Sequence, residues 1–300
     1  MSGLHFGLIL PNYGALLDAE ELAAVTVAAE EVGLDSAFVT DHVLVPAEHA
    51  PLYGTIAEAL VTLGFLVGRT RRIQLGVSAL VVPQRNPYVV VKQLASLDFL
   101  SGGRIVTAVA AGWMEGEFRS LGADFAHRGR ATNDWIELAQ AAFAHEAGPL
   151  DDAGALGLKD AWLAPATLRP GGPELWVAGV SQATLRRAAR TGVWHPVALP
   201  PDDLGRMASD FRRLCPGGRV VMRLGVYFAD SPKRVAVDER GRHALAGPPR
   251  WLAEQLVEYV EEGCDGFVVN LGHETPGLEE RVRRFAAEVR PLVEASEHAL

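Results

Sequence analysis

The chain lacks several signatures that would have placed it quickly. It has two cysteines in 300 residues, Cys215 and Cys264, and neither lies in a C-x-x-C pair. A disulfide framework is excluded, and two reduced thiols are expected. No apolar run reaches 18 residues, so no membrane span is expected. There is no excess of basic charge: 28 Lys and Arg stand against 37 Asp and Glu, a net charge of −9. Such a surface repels phosphate backbones, which argues against nucleic-acid binding. The clusters Arg69-Arg71-Arg72 and Arg186-Arg187-Arg190 read as solvated helix faces. Neither H-E-x-x-H nor H-x-x-E-H occurs and the nine histidines are scattered, so no metal site is expected. A G-x-S-x-G elbow is also missing, which argues against a serine hydrolase. Residues 1–17 carry no Asp, Glu, Lys or Arg. Even so, no basic segment precedes the apolar stretch and Pro11-Asn12-Tyr13-Gly14 interrupts it, unlike a signal peptide. The expectation is a soluble, cytoplasmic protein.

What is present is alternation. Hydrophobic residues make up 49% and charged residues 22%, values typical of globular chains. Short apolar runs alternate with amphipathic stretches. Strands are expected at Leu4–Leu10, Ser36–Thr40, Ile73–Val82, Arg104–Ala110, Glu174–Ala178, Val193–Val197, Arg219–Phe228 and Asp265–Asn270. Helices are expected at Ala19–Val32, Glu58–Thr70, Tyr88–Leu100, Thr132–His145, Ser181–Thr191, Asp202–Leu214, Arg250–Glu262 and Leu278–Leu292. Asp18 suits an N-cap, and Gly33 suits a helix C-terminus. Eight strand–helix units imply parallel strands joined by crossovers. No G-x-G-x-x-G follows the first strand, so an open dinucleotide-binding sheet is disfavoured. The α/β class expected is therefore a (β/α)8 TIM barrel, one domain over 1–300. A Gly- and Pro-rich insertion at about 148–173 precedes strand five, with a short hairpin at Leu158–Leu163.

In such barrels chemistry sits at the C-terminal ends of strands. Strand one ends at Asn12 and strand two at Asp41-His42. His42 is either a proton donor and acceptor or a rim histidine that only hydrogen-bonds its neighbours. Ser78-Ala79 lies inside an apolar strand, where a hydroxyl needs a backbone or ligand partner. Strand four ends in Ala111-Gly112-Trp113-Met114-Glu115; Glu115 is the candidate carboxylate to act beside His42, and Gly112 a candidate cofactor contact. Ala178-Gly179-Val180-Ser181 reads as an anion site at a helix start or as an ordinary turn. Trp113 and Trp194 wall a ligand or fill the rim. No strand end carries a lysine, which disfavours Schiff-base aldolases.

These junctions together resemble the luciferase-like monooxygenase superfamily, most strongly its coenzyme F420-dependent branch. The segments that carry the resemblance are 6–14, 29–42, 73–105, 112–130, 175–194, 252–270 and 284–293, in order across most of the chain. The longest, IQLGVSALVVPQRNPYVVVKQLASLDFLSGGRI, is the most specific. The resemblance implies a flavin or deazaflavin across the strand ends. It implies a non-prolyl cis peptide and bulge at Ser78-Ala79, and a phosphate site at Ala178, Gly179 and Val180. It also implies His42 facing the reactive ring, Asp41 at the cofactor's polar edge and Arg130 near its tail. The chain departs from the family at Gly192-Val193-Trp194, where aspartate-glycine often precedes the tryptophan, and at Ala178-Gly179, where relatives often read GG. The activity implied is hydride transfer between F420 and a small organic substrate, with His42 as acid/base tuned by Asp41. The alternative is a two-component monooxygenase using reduced FMN and oxygen, with a flavin reductase as partner. A barrel that binds without chemistry is a third reading. Relatives are commonly homodimers.

Overall fold

The structure is a computed structural model that describes residues 3–144, 148–150, 161–236 and 243–297. In chain order the elements are β1 (His5–Ile9), α1 (Ala19–Glu31), β2 (Ser36–Val39), α2 (Ala50–Tyr53), α3 (Ala59–Val67), β3 (Gln74–Val81), α4 (Pro87–Ser101), β4 (Ile105–Ala110), α5 (Glu115–Ser120) and α6 (Arg128–Ala144). There follow β5 (Gly148–Leu150), β6 (Ala161–Leu163), β7 (Glu174–Ala178), α7 (Gln182–Thr191), β8 (Val193–His195), α8 (Pro201–Leu214) and β9 (Arg219–Phe228). The chain then forms β10 (Lys233–Ala236), β11 (His243–Gly247), α9 (Pro249–Glu261), β12 (Gly266–Asn270), α10 (Leu278–Glu288) and α11 (Arg290–Glu297).

Strands β1, β2, β3, β4, β7, β8, β9 and β12 pair in parallel and close on themselves, β1 beside β12 and β8 beside β9. This is the (β/α)8 barrel expected from the alternation. Side-chain alternation divides the core in two. Ile9, Phe38, Val106, Ala108, Trp176, Val221 and Val268 fill the barrel interior. Their sequence neighbours, such as Ile105, Val109, Phe267 and Val269, face the helices in a second, larger cluster. Helix starts follow local chemistry. Asp18 Oδ1 accepts the Glu21 N–H at 2.9 Å, and Asn86 Oδ1 accepts from Tyr88 and Val89.

Three local features depart from expectation. The last helix divides at Val289, because Pro291 supplies no N–H and its ring excludes the preceding turn. A strand appears at β11: β8 ends early, leaving one edge of β9 open, and His243–Gly247 pairs there in parallel. In the insertion, β6 pairs antiparallel with β5 rather than within 158–163. The rest of that expected hairpin, 158–160, lies outside the described residues.

Candidate active site

Strand β2 delivers His42 to the C-terminal mouth, and α5 delivers Glu117 to meet it. The His42 ring is buried, and its Nδ1 lies 3.0 Å from Glu117 Oε2. Glu117 Oε1 accepts the backbone N–H groups of Val43 at 2.5 Å and Leu44 at 3.2 Å. Burial alone would raise this carboxyl, but the His42 bond and the Val43 N–H outweigh it and hold it down at about 2. Glu117 is therefore an acceptor, and His42 Nδ1 is assigned the donated proton. Around the imidazole stand Tyr53, at 4.5 Å between centroids, and Trp113, edge-on at 6.1 Å.

The neighbouring Asp41 points elsewhere. Its carboxylate takes both arms of Arg85, at 2.6 and 2.8 Å, and the Val81 N–H at 2.9 Å. Burial pushes the Asp41 carboxyl up, against the pull of Arg85. Arg85 also reaches Glu58 at 3.2 Å. This cluster ties β2 to the loop after β3, and the carboxylate bonded to His42 is Glu117, not Asp41. Asn12 is a clasp: its Nδ2 donates to Thr40 O and Ala57 O, and its Oδ1 accepts the Thr40 N–H.

Below the mouth, the Ser78–Ala79 peptide bond is cis, and the β3–β4 register shifts between Val77 and Leu80. Ser78 Oγ meets His195 Nε2 at 2.8 Å. His195 Nδ1 donates to Val221 O, so Nε2 accepts from the serine hydroxyl. Burial pushes His195 down to about 3 and keeps it neutral. Arg223, on β9, donates to Ser78 O and, at 3.3 Å, to Thr40 Oγ1. Ala79 and Ala110 cap the interior cluster and stay only half-buried. The floor of the mouth is thus made of small side chains.

The far wall is the turn from β7 into α7. Gly179 sits at φ +132°, and an added Cβ would lie 2.8 Å from Thr184 Oγ1. Ser181 Oγ caps α7 by accepting the Thr184 N–H. Two arginines near one another, Arg128 at the start of α6 and Arg187 on α7, link these helices. Arg128 donates to Gly112 O and Phe125 O, and Arg187 to Asn133 Oδ1 and Gly129 O, so their recorded acceptors are neutral. Burial, with Arg186 and Arg128 nearby, lowers the Arg187 pKa.

The structure therefore brings Asn12, Asp41, His42, Ser78, Ala79, Gly112, Ala178, Gly179, Val180 and Ser181 to one end of the barrel. It does not bring Glu115 or Arg130 into the mouth. Glu115 is exposed 3.8 Å from Arg119, and Arg130 is exposed 3.8 Å from Asp134. Each lies two residues from the side chain that does face inward, Glu117 and Arg128. Sequence reasoning also passed over Arg85, His195 as a partner of Ser78, and Arg223. The signal for Arg223 was a lone charge within the apolar run VVMRLGV. Among the described residues no cluster of three His, Cys, Asp or Glu could hold a metal, and no helix is long and apolar enough to cross a membrane.

Known proteins share this architecture. Over 93 residues the chain is 40% identical to an F420-dependent glucose-6-phosphate dehydrogenase of Amycolatopsis mediterranei (strain U-32), covering 31% of this chain and 27% of that one. It is 29% identical over 109 residues to a 4-hydroxyprotoasukamycin monooxygenase of Streptomyces nodosus subsp. asukaensis, covering 36% and 28%. The chain thus spans under a third of the length of these two curated relatives. A solved F420-dependent secondary alcohol dehydrogenase, in complex with an F420–acetone adduct, has the same fold at 15% identity, with a TM-score of 0.79 and coverage of 97% and 99%. The profile of the luciferase-like monooxygenases matches residues 5–236. With that match over most of its length, and a closed barrel beneath it, the chain belongs to the luciferase-like monooxygenase family.

Proposed function

We propose that the protein is an F420-dependent oxidoreductase that moves hydride between the deazaflavin and a small organic alcohol or carbonyl compound. The observation that carries the reading is the buried Glu117–His42 pair at the strand end, in which Nδ1 is taken and Nε2 is the other ring nitrogen. Support for a large flat cofactor comes from the small-side-chain floor at Ala79 and Ala110. Support for its anionic tail comes from the α7 start and the two arginines with neutral acceptors. These residues fit the group. Ala178, Gly179, Val180 and Ser181 would take its phosphate, Arg128 and Arg187 would complement the charge, and Gly112, Ser78 and Ala79 would lie under its ring.

When bound, F420 supplies a two-electron hydride acceptor or donor. The chain supplies the proton. His42 Nε2 takes a hydroxyl proton when an alcohol is oxidised and returns it when a carbonyl is reduced. The Glu117 carboxylate, bonded to Nδ1, keeps the ring in one orientation. Asp41 and Arg85 hold the loop on which His42 depends. Positioning of both reactants over the small floor supplies the rest.

Reduced FMN with oxygen is the second reading, favoured by the similarity to the 4-hydroxyprotoasukamycin monooxygenase; a flavin reductase would then be the partner. Titration of the apoprotein with F420 and with FMN, followed by absorbance, separates the two. Saturable binding of F420, with loss of its visible band when an alcohol is added, supports the proposal. Selective binding of FMN overturns it.

A further inference from the structure

Resting on the F420 reading, and deepening it, we infer that the substrate is a neutral, aryl-bearing alcohol or carbonyl compound, without phosphate or carboxylate. The wall around His42 carries the argument. It is built from the 42–58 loop, the turn after β3 and the start of α5. Leu44 is 51% exposed, Leu52 41%, Trp113 41% and Val43 38%. Single exposed apolar residues are ordinary, but here Val43 and Leu44 follow His42 directly, Leu52 precedes the Tyr53 that lies against it, and Trp113 stands edge-on to it. Aromatic edges complete it. Trp113 stands edge-on to His42 and, at 5.2 Å, to His49, and Tyr53 lies against His42. Rings in this arrangement favour a further ring edge-to-face or offset-stacked.

Charge points the same way. The cations on these segments are Arg85 and Arg119, apart from the histidines. Arg85 is held by Asp41 and Glu58, and Arg119 is exposed, 3.8 Å from Glu115. Glu48 stands in the same loop, beside His49. An anionic substrate would meet these carboxylates, and Arg85, the less exposed of the two arginines, is already taken by two of them. Cations stand instead at Arg128 and Arg187, the residues proposed above to complement the cofactor tail. Cofactor anion and substrate ring thus fall to different residues.

The test uses the full chain and three probes: benzyl alcohol, cyclohexylmethanol and glucose 6-phosphate. Binding is measured by calorimetry with and without F420, and turnover by loss of the F420 band. The inference expects benzyl alcohol to bind most tightly and glucose 6-phosphate not at all, whether or not F420 is present. Leu44→Ser should raise KM for benzyl alcohol about tenfold, with kcat and F420 affinity retained. If F420 binds but glucose 6-phosphate is the preferred ligand, or cyclohexylmethanol matches benzyl alcohol, this inference falls and the F420 reading stands. If F420 fails to bind while the apoprotein still selects benzyl alcohol, the cofactor reading falls and the substrate class stands.

Discussion

At the N-terminal mouth of the barrel His5 Nε2 meets the Ser36 hydroxyl at 2.7 Å; at the C-terminal mouth His42 Nδ1 meets the Glu117 carboxylate at 3.0 Å. The N-terminal end contains a cavity of about 470 Å3 lined by His5, Glu30, Asp35, Arg72, Glu174 and Arg219. Its charges are already answered. Glu30 accepts three backbone N–H groups, Asp35 accepts from Phe6, and Glu174 binds Arg219 and the Trp176 indole. Burial, with Arg219 adding, pushes His5 down to about 4 against the pull of Asp35, so it stays neutral. A cavity of good size whose polar groups satisfy one another is scaffold. The other end holds the His42–Glu117 pair at the C-terminal ends of the strands, and that is where chemistry is expected.

The largest effect should come from the pair of substitutions that swaps only the ring. His42→Asn keeps a donor near the Nδ1 position for Glu117 but removes Nε2. It should lower kcat/KM by about 10²–10⁴-fold with little change in melting temperature, whereas His5→Asn should leave kcat/KM unchanged. Equal losses in both would break the contrast between the mouths.

The second effect is on stability against pH, and the two ends should fail in different windows. The folded pKa of His5 lies below its ordinary 6.5, so the folded state resists protonation there. Its contribution is whole above pH 6.5 and is lost as the pH falls toward 4, by about 3 kcal/mol. Glu117 is depressed from 4.5 to about 2, so its contribution is present above pH 4.5 and is lost between 4.5 and 2, again by about 3 kcal/mol. Urea denaturation across pH should show His5→Asn flattening the upper window and Glu117→Gln the lower one. If either variant flattened the other's window, the assignment would be wrong.

A smaller loss is expected from Gly112→Ala. The residue sits at φ +83°, and a Cβ would lie 2.6 Å from both Phe118 and Val81. We expect about 2 kcal/mol of destabilisation and weaker F420 binding, read by denaturation and by titration. The smallest effects are expected from Glu115→Gln and Arg130→Ala. Both side chains are exposed in long ion pairs, so stability should stay within about 0.5 kcal/mol and kcat/KM should not change.

Those last two residues show where reading from sequence stops. Successive helical residues turn by about 100°, so positions two apart face nearly opposite ways. Glu115 and Glu117 are such a pair, and so are Arg130 and Arg128. The pattern held a clue: Met114 and Phe118 are buried, and Glu117, three residues beyond Met114, shares their face. Likewise Arg128 stands one turn before the buried Thr132, on the face that meets the barrel. His42 was legible because a strand end admits little freedom. The β11 strand was not, since His-Ala-Leu-Ala-Gly has weak strand character and pairs only because β9 has an edge to offer.

Periodicity and punctuation by themselves determined the barrel, because a buried parallel strand must be apolar throughout and each crossover must be amphipathic. They also determined that His42, Ser78 and Gly179 stand at one end. Tertiary structure alone decided their partners. Glu117 comes to His42 from 75 residues away, Arg85 to Asp41 from 44, and His195 to Ser78 from 117. Contacts at that range depend on how strands stagger and helices rotate in the closed barrel, and no local pattern encodes them.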